Sequence, residues 1–187
     1  MSPPRWIIAA KGLLLALLVV GALFPTVGGF EGKGMAYRLP IFFAPALVAP
    51  AIWWRRRGTY PLGLDVALTL PFLLDTLANA VGLYDHVDRT DDVLHFVNWF
   101  ILIGGITVAL RTSDSARSSP RWLVWVAGTG IGAIAAVLWE AAEYAVAQSG
   151  VGGLSLTYGD TIADLLLSTT GGAVGALVAV RLVTRER

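Results

Sequence analysis

Apolar segments long enough to cross a lipid bilayer recur along this chain, and they constrain its fold more than any other feature. The hydrocarbon core of a bilayer is about 30 Å thick, which requires about 20 predominantly apolar residues of helix. Hydrophobic residues make up 56% of the 187 residues and charged residues only 14%, against about a quarter in soluble domains. The sequence therefore predicts an all-α, polytopic membrane helical bundle, with residues 1–187 as a single integral membrane domain.

Six transmembrane helices are predicted from the apolar segments. They cover Trp6–Phe24, Leu39–Trp54, Tyr60–Leu83, Asp91–Leu110, Arg121–Ala147 and Asp160–Val183. The second contains Pro40, Pro45 and Pro50, and each proline removes a backbone hydrogen-bond donor. We therefore expect this segment to be kinked or partly re-entrant.

The basic residues predict how the bundle is oriented. Eleven of the fourteen lysines and arginines fall at the two termini and in the connections after helices 2 and 4. The other three connections share Lys33, Arg38 and Arg89. By the positive-inside rule, both termini are cytoplasmic and the connections after helices 1, 3 and 5 face outward. The expected location is the cytoplasmic (inner) membrane of a bacterium.

Composition also excludes several classes of function. The chain has no cysteine, so disulfides and thiolate metal sites are excluded. Its net charge of +1 argues against a nucleic-acid partner, which leaves the lipid bilayer as the first expected partner. The glycines at 128, 130 and 132 lie inside an apolar segment with no preceding strand, so they indicate close helix packing and not a nucleotide loop.

The acidic residues are concentrated at one level of the predicted bundle. The stretch from Asp85 to His95 alone holds four carboxylates and both histidines of the chain. At about 1.5 Å per residue, Asp75 lies about 12 Å from the outer end of helix 3. With the predicted topology, nine of the thirteen acids fall in or just above the outer half of the membrane. They are Asp75, Asp85, Asp88, Asp91, Asp92, Glu140, Glu143, Asp160 and Asp164.

The spacing of these residues places them in pairs on single helix faces. Asp75 and Asn79, like Asp160 and Asp164, are four residues apart, and residues three or four apart share a face. The pairs Asp92/His95 and Glu140/Glu143 are three apart. A carboxylate near the bilayer centre costs about 2.5–3.5 kcal/mol, so such residues normally face a bundle interior or an aqueous cavity. Four polar faces at one depth predict a common site.

A bound cation would account for so much negative charge in one place. Like charges at close range do not all remain ionised without compensation, and only His86, His95 and Arg89 supply positive charge nearby in the sequence. Carboxylates with one or two imidazoles suit Mn, Fe, Zn, Mg or Ca, and acidic and Glu-x-x-His pairs hold metals in carboxylate bundles. We therefore expect a divalent metal ion, with Asp75 and Asp160 as candidate catalytic bases. The expected metal ligands are Asp92, His95, Glu140, Glu143 and Asp164.

Structural interpretations of single residues stay open at this point. Asp85, Asp88 and Asp91 fit a solvated outer loop, and Asp160 fits a cap on free backbone N–H groups of its helix. His95 also fits a hydrogen-bonded core histidine. Asp65, near the cytoplasmic end of helix 3, is expected to reach toward Arg55–Arg57 at the membrane surface and is left out of the site.

Three short motifs resemble the YjdF-like family of small bacterial inner-membrane proteins. They are Asp91-Asp92-x-x-His95-Phe96, Trp139-Glu140-x-x-Glu143-Tyr144, and Gly159-Asp160-Thr161-x-x-Asp164 before Gly171-Gly172-Ala173-x-Gly175. The resemblance covers roughly residues 70 to 180 and implies the same topology and site region, but no particular reaction. Family members often carry asparagine about four residues after the last acid. Ser168 takes that place here, so no ligand is expected from it.

Three functions fit these observations. The first is a metal-dependent enzyme on the outer face, in which the metal activates water or polarises a phosphoryl or carbonyl oxygen of a lipid or periplasmic substrate. The second is a cation- or proton-coupled transporter that uses the same acids as its ion site. The third is an accessory membrane protein that a metal stabilises without turnover.

Overall fold

The structure is a computed structural model, and it describes residues 2–112, 118–150 and 156–183. Its α-helices are α1 (Arg5–Leu23), α2 (Met35–Phe43), α3 (Val48–Arg56), α4 (Leu62–Ala80), α5 (Leu83–His86), α6 (Thr90–Thr112), α7 (Arg121–Gln148) and α8 (Tyr158–Leu182), with 3₁₀ turns at Gly28–Phe30 and Ala44–Leu47. Six segments of the described chain are long and apolar enough to cross a membrane, and Met35–Arg56 counts as one of them. The predicted all-α fold with six candidate membrane-spanning helices is confirmed.

Proline and glycine set the helix boundaries. Pro4 and Pro120 immediately precede α1 and α7, where a missing N–H costs nothing because the first turn has no partner for it. The predicted second helix is interrupted between α2 and α3 by a 3₁₀ turn, in which Pro45 is the second residue. The predicted third helix ends three residues early, at Ala80, because Gly82 takes a positive φ of 71° and redirects the chain into α5.

Helix α6 lies at the centre of the bundle, where it packs against α4, α7 and α8. Its closest approach is to α8, where a Cβ on Gly171 or Gly175 would collide with the carbonyl oxygens of Phe96 and Phe100. Gly128 and Gly132 of α7 are buried and face α6, whereas Gly130 has nothing near its missing side chain. The small residues therefore bring three backbones close together around α6, as expected in lipid.

A second group of helices closes the other side of the bundle. Helix α1 packs against α2 and α4, and their shared core includes Leu14, Leu18, Met35 and Leu73. The loop after α1 also packs against the end of α4, because Gly29 lies directly on the backbone at Asn79 and Gly82. This loop carries Lys33 to the same end of the bundle as the start of α6.

Asp65 differs from its predicted position at the membrane surface. Its side chain is fully buried, and Lys11 Nζ lies 2.6 Å from its Oδ1. The Tyr60 hydroxyl donates to its other oxygen, and Thr69 lies 3.4 Å away. The arginines after α3 do not reach Asp65, because Lys11 on the adjacent helix α1 supplies the nearer cation. Burial and the neighbouring carboxylate raise the pKa of the Tyr60 hydroxyl, which therefore stays a donor.

Candidate functional site

The polar residues of seven segments meet in one cavity at one end of the bundle. The cavity has a volume of about 290 Å³. It is lined by the loop before α2, by α2 itself, by the end of α4, by α5, by the start of α6, by the end of α7 and by the start of α8. Its charged and histidine lining residues are Lys33, Arg38, Asp75, Asp91, His95, Glu143, Asp160 and Asp164. The predicted convergence of acidic faces therefore occurs among the described residues.

His95 is the centre of the acidic end of this cavity. Its Nε2 lies 3.5 Å from Asp91 Oδ1 and 3.7 Å from Asp164 Oδ1. Its imidazole also forms a second group with Glu140 and Glu143, and in each group one ligand atom per residue lies within 4.8 Å of the others. Three helices, α6, α7 and α8, thus bring four carboxylates to one imidazole.

Ser168 orients the His95 ring. Its buried hydroxyl lies 3.0 Å from His95 Nδ1, which leaves Nε2 facing the carboxylates. A hydrogen bond on the second ring nitrogen fixes the tautomer and orientation of histidines that bind metals. The sequence predicts no ligand at this position, because Ser168 stands where members of the YjdF-like family often carry asparagine. The spacing of four residues from Asp164 could have placed it on the same face.

Two carboxylate oxygens in this group lack a hydrogen bond. Glu140 Oε2 and Asp164 Oδ1 are buried and have no hydrogen-bond partner within the described chain. Glu140 is 7% exposed and Asp164 2% exposed. Buried polar atoms in proteins are nearly always paired with protein groups, water or an ion. The two oxygens belong to different helices, and their residues belong to the two groups that share His95, so a cation bound beside His95 fits the donor set.

Asp92 does not join this group, and Asp91 takes the place predicted for it. The cavity-facing residues of α6 are Asp91, Leu94, His95, Asn98, Trp99 and Leu102. This face excludes Asp92, which lies about 100° around the helix from Asp91. The sequence could not separate the two, because residues three and four before His95 share nearly the same face. Asp91 was expected to belong to the solvated outer rim.

Asp75 lies in the same cavity but has a different environment. Arg38 Nη1 lies 2.9 Å from its Oδ2, and the Tyr84 hydroxyl donates to its Oδ1 at 2.6 Å. Asn79 also donates to Oδ2, at 3.2 Å. Burial and the adjacent Asp75 raise the pKa of Tyr84, so its phenol remains protonated and donates. Asp75 is therefore held by three donors and positions Arg38.

Asp160 lies one turn before Asp164 and lines the cavity. The helix cap at this end is made by Thr157, whose side chain accepts from the backbone N–H of Asp160 at 3.2 Å. The carboxylate of Asp160 itself makes no hydrogen bond or ion pair with the residues that the structure describes. Among the acids that line the cavity, Asp160 therefore has the fewest contacts to other described polar groups.

Lys33 and Arg38 were not connected with the site by sequence reasoning. Lys33 Nζ lies 2.7 Å from Asp85 Oδ1 and 5.9 Å from the Tyr84 ring, and this contact lowers the pKa of Asp85. The positive-inside rule predicts that Lys33 and Arg38 lie on the same side of the membrane as the acids. The contact between Lys33 and Asp85 could not be predicted from the sequence, since 52 residues separate them. His86 instead contacts the carbonyl of Gly82 at 2.8 Å and lies outside both acidic groups.

The fold and this cavity define a polytopic membrane protein whose helices enclose a cluster of carboxylates around one histidine. The chain belongs to the family described as "Predicted membrane protein (DUF2238)", whose model matches residues 9–185. Comparison with curated proteins and with solved structures found no match.

Proposed function

We propose that this protein is a metal-dependent enzyme of the bacterial inner membrane that acts on a lipid or periplasmic substrate. The observation that carries the proposal is the pair of buried oxygens on Glu140 and Asp164, beside His95, that form no hydrogen bond with the described residues. Buried charges in proteins are paired or coordinate metals. The described residues near these oxygens offer carboxylates and one imidazole, and the cations of the cavity already contact Asp75 and Asp85.

The donor set suits a hard or borderline divalent ion. His95 Nε2 with oxygens from Asp91, Asp164, Glu140 and Glu143 would hold it, and such a mixed set is typical of Mn, Fe or Zn more than of Ca or Mg. A bound ion would activate water or polarise a phosphoryl or carbonyl oxygen. We assign the role of general base to Asp160, because its carboxylate lines the cavity and makes no hydrogen bond or ion pair with the described residues. Asp75 is assigned a positioning role through Arg38.

The shape of the site favours an enzyme over a carrier. The cavity lies at one end of the bundle, and the ion pair of Lys11 on α1 with Asp65 in the opposite half of α4 does not line it. By the positive-inside rule this cavity faces the extracytoplasmic side. We also propose the closer relationship to the YjdF-like family, on the three motifs that contribute Asp91, His95, Glu140, Glu143 and Asp164.

Elemental analysis of purified protein tests the metal site. The wild type should carry a divalent metal in stoichiometric amount, and His95→Ala and Glu140→Gln should lose it. Glu31→Gln is a matched control, since Glu31 is an exposed glutamate of the loop after α1. Absence of metal from the wild type after loading with Mn²⁺, Fe²⁺ and Zn²⁺ would refute the proposal. If metal is bound, uptake of that metal into proteoliposomes would instead support the carrier.

A further inference from the structure

The part of the cavity around Asp75 has its own chemistry. Arg38 and Lys33 are the only cations in the described lining, and they contact Asp75 and Asp85. Hydrogen bonds within the described chain use one guanidinium N–H of Arg38, to Asp75, while the guanidinium stacks on Phe42 at 5.2 Å. Asp75 and the aromatic ring therefore hold Arg38 in place and leave further N–H donors. A guanidinium fixed in this way is the usual partner of a phosphate group.

Two of the lining helices, α6 and α4, become less polar from the mouth of the cavity to its floor. Along α6 the lining begins with Asp91 and His95 and reaches Leu102 about 16 Å further along the helix axis. Along α4 it changes from Asn79 and Asp75 to Phe72 and Pro71. A lipid in the same leaflet has the same order, with its head group at the surface and its chain toward the membrane centre. The cavity thus matches an amphiphile that keeps its membrane orientation.

Aromatic side chains from three helices form the apolar part. Phe42 of α2, Phe72 of α4 and Trp139 of α7 meet with ring centroids 5.1 to 6.5 Å apart. The cavity volume of about 290 Å³ equals the liquid volume of about ten water molecules. This space holds a head group and the first carbons of a chain, and a longer chain would continue outside it.

The charge of the lining predicts how metal affects head-group binding. The described lining carries five carboxylates and two cations, so a metal that offsets the acids near His95 should strengthen the binding of an anion at Arg38 and Lys33. A phosphoryl group between the metal and Arg38 would contact positive charge on both sides. Metal and anion should then strengthen each other's binding, as linkage between adjacent sites requires.

We propose that the cavity binds the phosphoryl head group of a membrane amphiphile, with Arg38 and Lys33 on the phosphoryl oxygens and the chain against Phe42, Phe72 and Trp139. This inference rests on the proposed function for the effect of metal, but the contacts to Arg38 and to the aromatic floor are independent of it. Inorganic phosphate shares the head-group chemistry and lacks the chain. Comparing it with an alkyl phosphate therefore separates the affinity due to the phosphoryl group from the affinity due to the chain.

Calorimetric titration of dodecyl phosphate into the full chain tests this inference. Dodecyl maltoside is a suitable detergent because it contains no phosphate. Mn²⁺ should tighten dodecyl phosphate binding by about 5- to 150-fold. Inorganic phosphate should bind more weakly than dodecyl phosphate. Arg38→Gln should weaken dodecyl phosphate roughly 10- to 150-fold, the value of a hydrogen bond to a charged group.

Arg89→Gln is the matched control, because Arg89 is exposed on the same side and lies outside this cavity. It should leave binding unchanged. Lys33→Gln, in a loop, gives a second variant if Arg38→Gln fails to fold, and unchanged Mn²⁺ content shows that each variant is folded.

Three results would overturn the inference. They are the absence of dodecyl phosphate binding in the presence of Mn²⁺, equal losses in Arg38→Gln and Arg89→Gln, and tighter binding of dodecyltrimethylammonium than of dodecyl phosphate. Equal affinity for inorganic phosphate would overturn the part played by the chain. Binding that depends on Arg38 but not on Mn²⁺ would support the phosphoryl site and refute the metal site, so the two proposals fail separately.

Discussion

Replacing Glu140 by glutamine should affect the metal-free and the metal-loaded protein differently. In the metal-free protein, Glu140 Oε2 and Asp164 Oδ1 are buried without a hydrogen bond in the described chain. Each such atom costs about 1–3 kcal/mol, so the two together cost about 2–6 kcal/mol. Glutamine keeps the shape of the side chain and removes a charge from the acidic group. The metal-free variant should therefore be at least as stable as the metal-free wild type.

With bound metal, the wild type should be more stable than Glu140→Gln. A ligand present at 100 times its Kd stabilises the folded state by about 2.7 kcal/mol. In a chain of this length, 1 kcal/mol changes the Tm by about 2–4 °C. Metal should therefore raise the Tm of the wild type by roughly 5–11 °C. Glu140→Gln removes one ligand and should lose most of this increase.

Thermal unfolding of detergent-purified protein, followed by tryptophan fluorescence, measures both effects. Each protein is treated with a chelator and then titrated with Mn²⁺ or Zn²⁺. Glu31→Gln makes the same chemical change at an exposed loop position and should behave as the wild type in both conditions. The reasoning is refuted if Glu140→Gln is several degrees less stable without metal and still shows the full increase with metal.

Three further changes probe the support of the site and of the bundle. Ser168→Ala removes the hydroxyl 3.0 Å from the imidazole and should weaken metal binding by about 10- to 100-fold, as measured by competition with a chelating dye. Gly171→Ala places a Cβ on a carbonyl of α6 and should lower the free energy of unfolding by about 1–3 kcal/mol in thermal unfolding. Lys11→Met leaves Asp65 buried without its cation and should cost about 3–5 kcal/mol in the same assay.

Each of these changes has a control within the chain. Gly130→Ala adds the same methyl group where nothing lies within 4 Å, and it should stabilise α7 by up to about 1 kcal/mol. Thr170→Ala removes a hydroxyl from an exposed position of α8 and should leave metal affinity unchanged. Adding Asp65→Asn to Lys11→Met should recover much of the lost stability. Equal effects of a test change and its control would contradict the corresponding contact.

The long-range partners of the site could not be predicted from the sequence. Arg38 and Asp75 are 37 residues apart, and His95 and Ser168 are 73 apart. No local pattern connects such residues, because their contact depends on which helices are neighbours and on how each is rotated. The choice of Asp91 over Asp92 has the same origin, since about 100° of rotation separates adjacent residues on a helix.

The sequence by itself determined the six apolar segments, the interruption at the prolines, and the concentration of acids at one end of the bundle. These features are local, since hydropathy, proline chemistry and a repeat of 3.6 residues act within a single helix. The tertiary structure decided which acids face His95, which acids are held by cations, and that Asp65 is buried with Lys11. These outcomes depend on glycine contacts that let α6 approach α7 and α8, and on the loop after α1 that brings Lys33 to the cavity.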